Sequence, residues 1–226
     1  MPELLLQAQS LQKAFGRSPA LRNASLRVSP GEVVAITGPS GSGKSTLLLC
    51  LSGVLRPEAG RVCYQGRPLQ DLSDRERSRL RRREFGLVLQ FGQLVPELTA
   101  VQNVALPLLL ERHGRAASYA AARVWLDRLG VGDLEAMTPG EMSGGEGQRV
   151  AIARSLVTGP RVIFADEPTG ALDTLSGEQV LELLLSVSRE TEASLVLVTH
   201  DNRIAAFADR EVVLRDGATD SGPEIR

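Results

Sequence analysis

Gly38-Pro39-Ser40-Gly41-Ser42-Gly43-Lys44-Ser45-Thr46 lies between the apolar run Val33-Val34-Ala35-Ile36 and Leu47-Leu48-Leu49. Strand, glycine-rich loop and helix, in that order, are the setting a phosphate-binding loop requires. Glycines let consecutive backbone N–H groups turn toward one anion at a helix N-terminus, where the helix dipole favours negative charge. Lys44 then reaches the β and γ phosphates as a point charge, and the Ser45 hydroxyl offers Mg²⁺ an oxygen. A Gly/Ser turn before a helix reproduces two or three of these features but rarely the whole string. The sequence therefore predicts a site for a nucleoside triphosphate with Mg²⁺.

Outward from this loop, short β-like runs at residues 4–11, 21–28, 33–37 and 61–65 are punctuated by Pro30-Gly31 and Ala59-Gly60. Further on, 116–129, 146–157 and 175–188 read as helices and 162–165, 194–199 and 211–214 as buried strands. This is a β/α alternation with a helical insert. Parallel strands place ligands at their carboxyl ends, so chemistry is expected just after each strand.

One such end is Val162-Ile163-Phe164-Ala165-Asp166-Glu167-Pro168. Adjacent side chains on a strand diverge, so the two carboxylates divide their labour. Asp166 is expected to hold Mg²⁺ through water, and Glu167 to face the γ-phosphate and orient or deprotonate the attacking water. A lone Asp-Glu at a strand end is usually a solvated turn; downstream of a complete phosphate loop it is not. Met142-Ser143-Gly144-Gly145-Glu146-Gly147-Gln148-Arg149 then opens the helical 150–154 and forms a second anion-ready N-terminus. One nucleotide does not obviously need two such loops from one chain. The arrangement makes sense if this turn covers the γ-phosphate of an ATP held by a second copy.

Composition narrows the alternatives. The 226 residues, 42% of them hydrophobic, suffice for one globular ATPase unit. The 26 basic and 27 acidic residues leave a formal charge of −1, which gives no footprint for nucleic acid. The arginine-dense stretch 74–84 alternates with Asp74, Glu76 and Glu84 and carries no stacking aromatics, so it reads as a solvated helix. Cys50 and Cys63 lack metal-ligand or redox spacing and are expected as reduced thiols of a cytosolic protein. Met1-Pro-Glu-Leu has an acid where a signal peptide has its basic region, and no apolar run reaches the length of a membrane span.

Taken together, the chain resembles the nucleotide-binding subunit of an ATP-binding cassette (ABC) transporter from about residue 4 to residue 217. The resemblance rests on the phosphate loop, Gln90 after Leu87-Val88-Leu89, the Ser143-Gly144-Gly145-Glu146 signature, Asp166-Glu167, Ala171-Leu172-Asp173, and His200 after 195–199. It implies an α/β P-loop NTPase: a RecA-like core with a mostly parallel sheet, an antiparallel β subdomain and a helical subdomain. Residues 1–89 and 158–226 would form core and β subdomain, and 90–157 the helical part. It implies that Gln90 contacts Mg²⁺ and the membrane partner, that Asp173 communicates across a homodimer, and that His200 contacts the γ-phosphate. Phe15, in Lys13-Ala14-Phe15-Gly16, takes the place of the aromatic that stacks on adenine. The catalytic set is then Glu167, His200, Lys44 and Gln90, acting on ATP with Mg²⁺ for a separate transmembrane permease at the cytoplasmic face of the membrane.

The stretch 94–104 and Asp166-Glu167-Pro168-Thr169-Gly170 resemble the branch of macrolide exporters, lipoprotein-release ATPases and the cell-division ATPase. Export or extraction from the membrane is the implied work; a non-transporting complex that regulates cell-wall enzymes is the alternative. The chain departs from the usual pattern at Met142, where leucine is common, at Gly147, which is expected to loosen its helical turn, and at Ala171, where that branch often has asparagine. Translation or repair ATPases would carry tandem cassettes or coiled coils, and a P-loop kinase would not need the Ser143 turn. The apolar residues 104–111, interrupted by Pro107, are expected to offer a docking surface for a permease helix.

Overall fold

A computed structural model describes residues 4–89, 94–170 and 172–219. Along the chain run β1 (Leu6–Phe15), β2 (Ser18–Val28), β3 (Val33–Thr37), α1 (Lys44–Leu51), β4 (Ala59–Tyr64), β5 (Arg67–Pro68) and α2 (Asp74–Glu84). Next come β6 (Phe85–Val88), α3 (Ala100–Leu110), α4 (Arg115–Arg128), α5 (Gly144–Leu156), β7 (Val162–Asp166) and α6 (Thr174–Thr191). The chain closes with β8 (Ser194–Val198), α7 (Asn202–Ala205), β9 (Arg210–Arg215) and β10 (Ala218–Thr219). It divides into two compact units, Met1–Arg81 with Glu192–Arg226, and Arg82–Thr191.

In the first unit β3 is hydrogen-bonded in parallel to β8 on one side and β9 on the other. A strand covered on both faces is apolar over most of its length, and every residue of β3 and β8 is buried, with polar Thr37 and Ser194 at strand ends. The antiparallel part joins β1 to β2 and β4, and β4 to β5. There β2 alternates buried Ala24, Leu26 and Val28 with exposed Ser25 and Arg27, as a half-solvated strand should. The first strand extends to Phe15 instead of stopping at residue 11, because register shifts let it keep pairing with β2 down to Phe15 opposite Ser18. Helix α1 is fixed by Leu47, Leu48 and Leu51, all without solvent exposure. Each such side chain contributes about 1.5–3 kcal/mol through burial.

The second unit is built on the parallel pair β6 and β7, with Phe85 and Phe164 meeting edge to face at 5.2 Å. Its helices pack through Leu126, Ile152 and Leu156, none more than 1% exposed. As expected, α2 buries none of its residues. Pro107 does not interrupt the apolar stretch: α3 runs on through it to Leu110, and the N–H of Glu111 returns to the Pro107 carbonyl at 3.2 Å. Proline this near a helix end removes one hydrogen bond that the last turn can lose. Asn103, with no solvent exposure, holds the preceding segment: its Oδ1 accepts from Val95 N–H at 2.8 Å, and its Nδ2 donates to the Val95, Leu98 and Thr99 carbonyls at 2.9–3.2 Å.

Candidate functional site

In the first unit the chain leaves β3 and enters α1 through three left-handed glycines, Gly38 (φ 140°), Gly41 (φ 76°) and Gly43 (φ 101°). A β-carbon at Gly38 would stand 2.0 Å from the Leu214 carbonyl oxygen, and one at Gly43 2.3 Å from that of Ala20. No other residue fits either place. Pro39, Ser40 and Gly41 are exposed and Gly43 and Thr46 half-buried along the turn. Helix α1 starts at Gly43 without a side-chain cap and without an acid in its first turn. A helix start of this kind is the setting in which an anion completes the first turn. Lys44 is 8% exposed, and its Nζ donates to the Gly38 and Pro39 carbonyls, each at 2.9 Å. The ammonium thus sits over the turn it would share with a phosphate. Among the described residues, Ser42 Oγ is the buried side-chain oxygen without a hydrogen-bond partner, and it lies in this same turn.

The β3–β8 register opposes Ile36 to Val198, and Thr199 N–H donates to the Ile36 carbonyl at 3.2 Å. His200 and the phosphate loop therefore leave the same carboxyl edge of neighbouring strands. Buried Thr199 accepts from the Asp201 N–H at 3.0 Å, which fixes the turn carrying exposed His200. Bonds from the Arg203 guanidinium and backbone hold the Asp201 carboxyl down at about 2. Phe15 ends β1, 53% exposed, with Lys13 Nζ 5.7 Å from its ring centre. Burial pushes the Cys50 thiol up to about 11, and both cysteines are free, as expected of inert thiols.

The second unit carries the remaining described residues. Asp166, 7% exposed, closes β7, and Glu167 follows at φ 48°. That left-handed backbone is costly for a side-chain-bearing residue, by about 1–3 kcal/mol, and persists only where surroundings hold it. A turn from Gly170 N–H to the Glu167 carbonyl at 3.0 Å is part of that hold. Exposed Asp173 accepts from Ser176 N–H at 3.0 Å and starts α6. Ser143 is the N-cap of α5: its Oγ accepts from Glu146 N–H, while the Glu146 carboxylate takes the Ser143 N–H at 2.7 Å and hydroxyl at 2.8 Å. These bonds hold the Glu146 carboxyl below its ordinary range. Gly144 and Gly145 occupy the first two helical positions. The helix forms from Gly144 although Gly147 lies in it.

Gln90 and Ala171 lie outside the described residues. Of the rest, the structure brings the phosphate loop and His200 to one strand edge, and places Ser143 to Glu146, Asp166, Glu167 and Asp173 together in the second unit. Sequence reasoning assigned no role to Gln148, which is 3% exposed and donates to the Pro168 carbonyl at 3.1 Å. Its signal was visible: a glutamine three and four residues before Ala151 and Ile152 lies on the apolar stripe of its helix and needs a buried partner.

Mg²⁺ takes a few hard oxygen ligands and keeps water and substrate phosphates for the rest. Each unit by itself carries an oxygen donor of that kind: Ser45 a hydroxyl in the first turn of α1 in the first unit, and Asp166 a carboxylate at the end of β7 in the second.

The pattern of the ABC transporter family matches residues 21–170. The chain is 46% identical over 216 residues to the lipoprotein-releasing system ATP-binding protein LolD of Bordetella pertussis, covering 94% of each chain. It is 40% identical over 221 residues to LolD of Shewanella oneidensis, covering 96% of each. Among solved structures, the dimeric post-hydrolysis state of the ATP-binding cassette MJ0796 bound to ADP and Pi superposes with TM-score 0.90 at 37% identity, covering 95% of this chain and 96% of that one. The chain belongs to the ABC transporter family as one of its ATP-hydrolysing cassettes, an α/β P-loop ATPase that works on ATP with Mg²⁺.

Proposed function

We propose that the chain powers a separate membrane permease that extracts lipid-anchored proteins from a membrane, through a homodimer with two ATP molecules held between its copies. The observation that carries this reading is the pair of differently built helix starts. The turn at Gly43 is open to a phosphate, whereas the turn at Ser143 is complete in itself and presents Gly144 and Gly145 N–H groups for a phosphate brought to it. The likeness to lipoprotein-releasing ATP-binding proteins supports the cargo, and the dimeric relative supports the sandwich.

One copy binds the triphosphate with residues 38–46, Phe15 lies on the adenine, and Ser143, Gly144 and Gly145 of the other copy close over the γ-phosphate, flanked by its Asp173. Closure moves the permease. Ser45, Asp166 and Gln90 would hold Mg²⁺, which when bound draws charge from the phosphate oxygens. Glu167 orients the attacking water and takes its proton, and Lys44 and His200 meet the charge that develops on the phosphoryl group. Residues 90–157 would serve as the helical subdomain, and the complex would sit at the cytoplasmic face of the membrane.

Glu167→Gln is expected to cut turnover by roughly 10²–10⁴-fold, the worth of a positioned base, and to accumulate an ATP-bound dimer on size-exclusion chromatography. Near-normal turnover removes Glu167 from the mechanism, and a monomeric variant with ATP removes the sandwich. The permease is expected to dock on the end of α3, where Leu106, Leu108 and Leu109 are half-buried and Leu110 is 58% exposed. Arg82 and Arg83 pin that end through Glu111. Leu109→Glu should release the permease in a pull-down while ATP binding stays intact; retained association would sink the docking assignment.

A further inference from the structure

We infer that Gln148 is a positioning residue that ties the Ser143 turn of each copy to that copy's own Glu167 loop, and so couples the two ATP sites of the dimer. The inference rests on the function proposed above.

Gln148 is the fifth residue of α5, whose N-cap is Ser143. Its side chain is 3% exposed, and its Nε2 donates to the Pro168 carbonyl at 3.1 Å and reaches the Leu89 carbonyl at 3.5 Å. An apolar side chain of the same length would fill this space. What glutamine adds is two N–H donors, and the carbonyls they meet belong to the residues next to Glu167 and Gln90. Pro168 has no N–H, so its carbonyl is the one backbone polar group that this residue itself offers. Holding it helps maintain the left-handed Glu167 (φ 48°), which needs a surrounding that over-determines it. A second contact runs between the same parts: a β-carbon at Gly145 would stand 3.0 Å from Leu172 Cδ2. The first turns of α5 thus meet Pro168 and Leu172, residues close to Glu167 in the chain.

Ser143 and Gln148 ride on one helix, about 7.5 Å apart along its axis. When Ser143 closes over the partner copy's ATP, the displacement of the helix tip reaches Pro168 and sets the Glu167 carboxylate that acts on the copy's own ATP. Each lid, closing at one ATP site, thereby licenses its own copy's base at the other.

The test uses the full chain with Gln148→Met, which keeps the volume and removes both donors. Nucleotide affinity is expected within about twofold of the unsubstituted protein, kcat lower by about fivefold to tenfold, and the Hill coefficient for ATP close to one. In a Glu167→Gln background the same change is expected to cause no further loss in single-turnover hydrolysis, because it acts through Glu167. Unchanged kcat and Hill coefficient, or an equal loss in both backgrounds, would overturn the inference, the latter by marking a packing role. Thermal unfolding checks that Gln148→Met is folded; should it melt early, Gln148→Leu, a second apolar side chain of similar size without donors, carries the same expectations. Turnover of the unsubstituted protein that is independent of its concentration overturns the sandwich and the coupling with it. Concentration-dependent turnover with a normal Gln148→Met variant overturns the coupling alone.

Discussion

The turns at Gly43 and Ser143 both bring glycines to a helix N-terminus, yet they are finished in opposite ways. The first has a left-handed N-cap, no side-chain cap and no acid, with a lysine as the first helical residue. The second has a serine cap, a reciprocal carboxylate and an extended N-cap backbone. A helix start without its own cap keeps unsatisfied donors and positive potential, and its stability then depends on what binds there. A capped start with an acid in its first turn is stable alone and spends part of its donor set on itself. The first is left to be completed by what binds it; the second completes itself.

The largest separation between the two turns is expected in nucleotide affinity. Lys44→Ala exchanges a charge-assisted set of bonds for none and should weaken ATP binding about 10- to 100-fold, whereas Ser143→Ala should leave single-chain affinity within about twofold. Fluorescent-nucleotide titration at low protein concentration reads both, and equal losses would erase the distinction. Alanine for glycine should act with opposite signs in the two turns. Gly43→Ala meets φ 101° and the Ala20 carbonyl, so a loss of about 2 kcal/mol or more is expected. Gly147→Ala adds a β-carbon with nothing within 4 Å in a helix, so a gain of about 0.5–1 kcal/mol is expected. Thermal unfolding should show the two midpoints moving apart, by about 2–4 °C per kcal/mol for a chain of this size.

The smallest effect concerns the cap itself. Ser143 donors hold the Glu146 carboxyl below its ordinary 4.5. A depressed folded-state value means that this stabilisation is present above pH 4.5 and fades as the pH falls below it. The midpoint difference between the unsubstituted protein and Glu146→Gln should therefore narrow on acidification, and a difference constant from pH 7 to pH 3.5 would count against the carboxylate's role.

Local pattern was enough wherever a residue's task is set by its neighbours in the chain. The strand Val33–Thr37, the glycine turn after it, the solvated α2 and the acids closing β7 all follow from spacing and residue type. The reach of β1 to Phe15 and the passage of α3 through Pro107 did not. Both depend on pairing partners distant in sequence or on which single hydrogen bond a helix end can spare. Asn103 and Gln148 were also silent in their tasks, because a buried amide's function is defined by the carbonyls it meets, here 4 to 8 and 20 residues away or more.

By itself the sequence determined a glycine turn suited to a triphosphate and a second turn suited to the same anion, since donors, charge and φ freedom are properties of consecutive residues. Only tertiary structure decided that β3 and β8 deliver His200 beside the phosphate loop, and that a glutamine amide fastens α5 to the loop of Glu167. Sheet register and buried side-chain partners are chosen by packing across the folded chain, where hydrogen-bond satisfaction and burial act between segments that the sequence keeps apart.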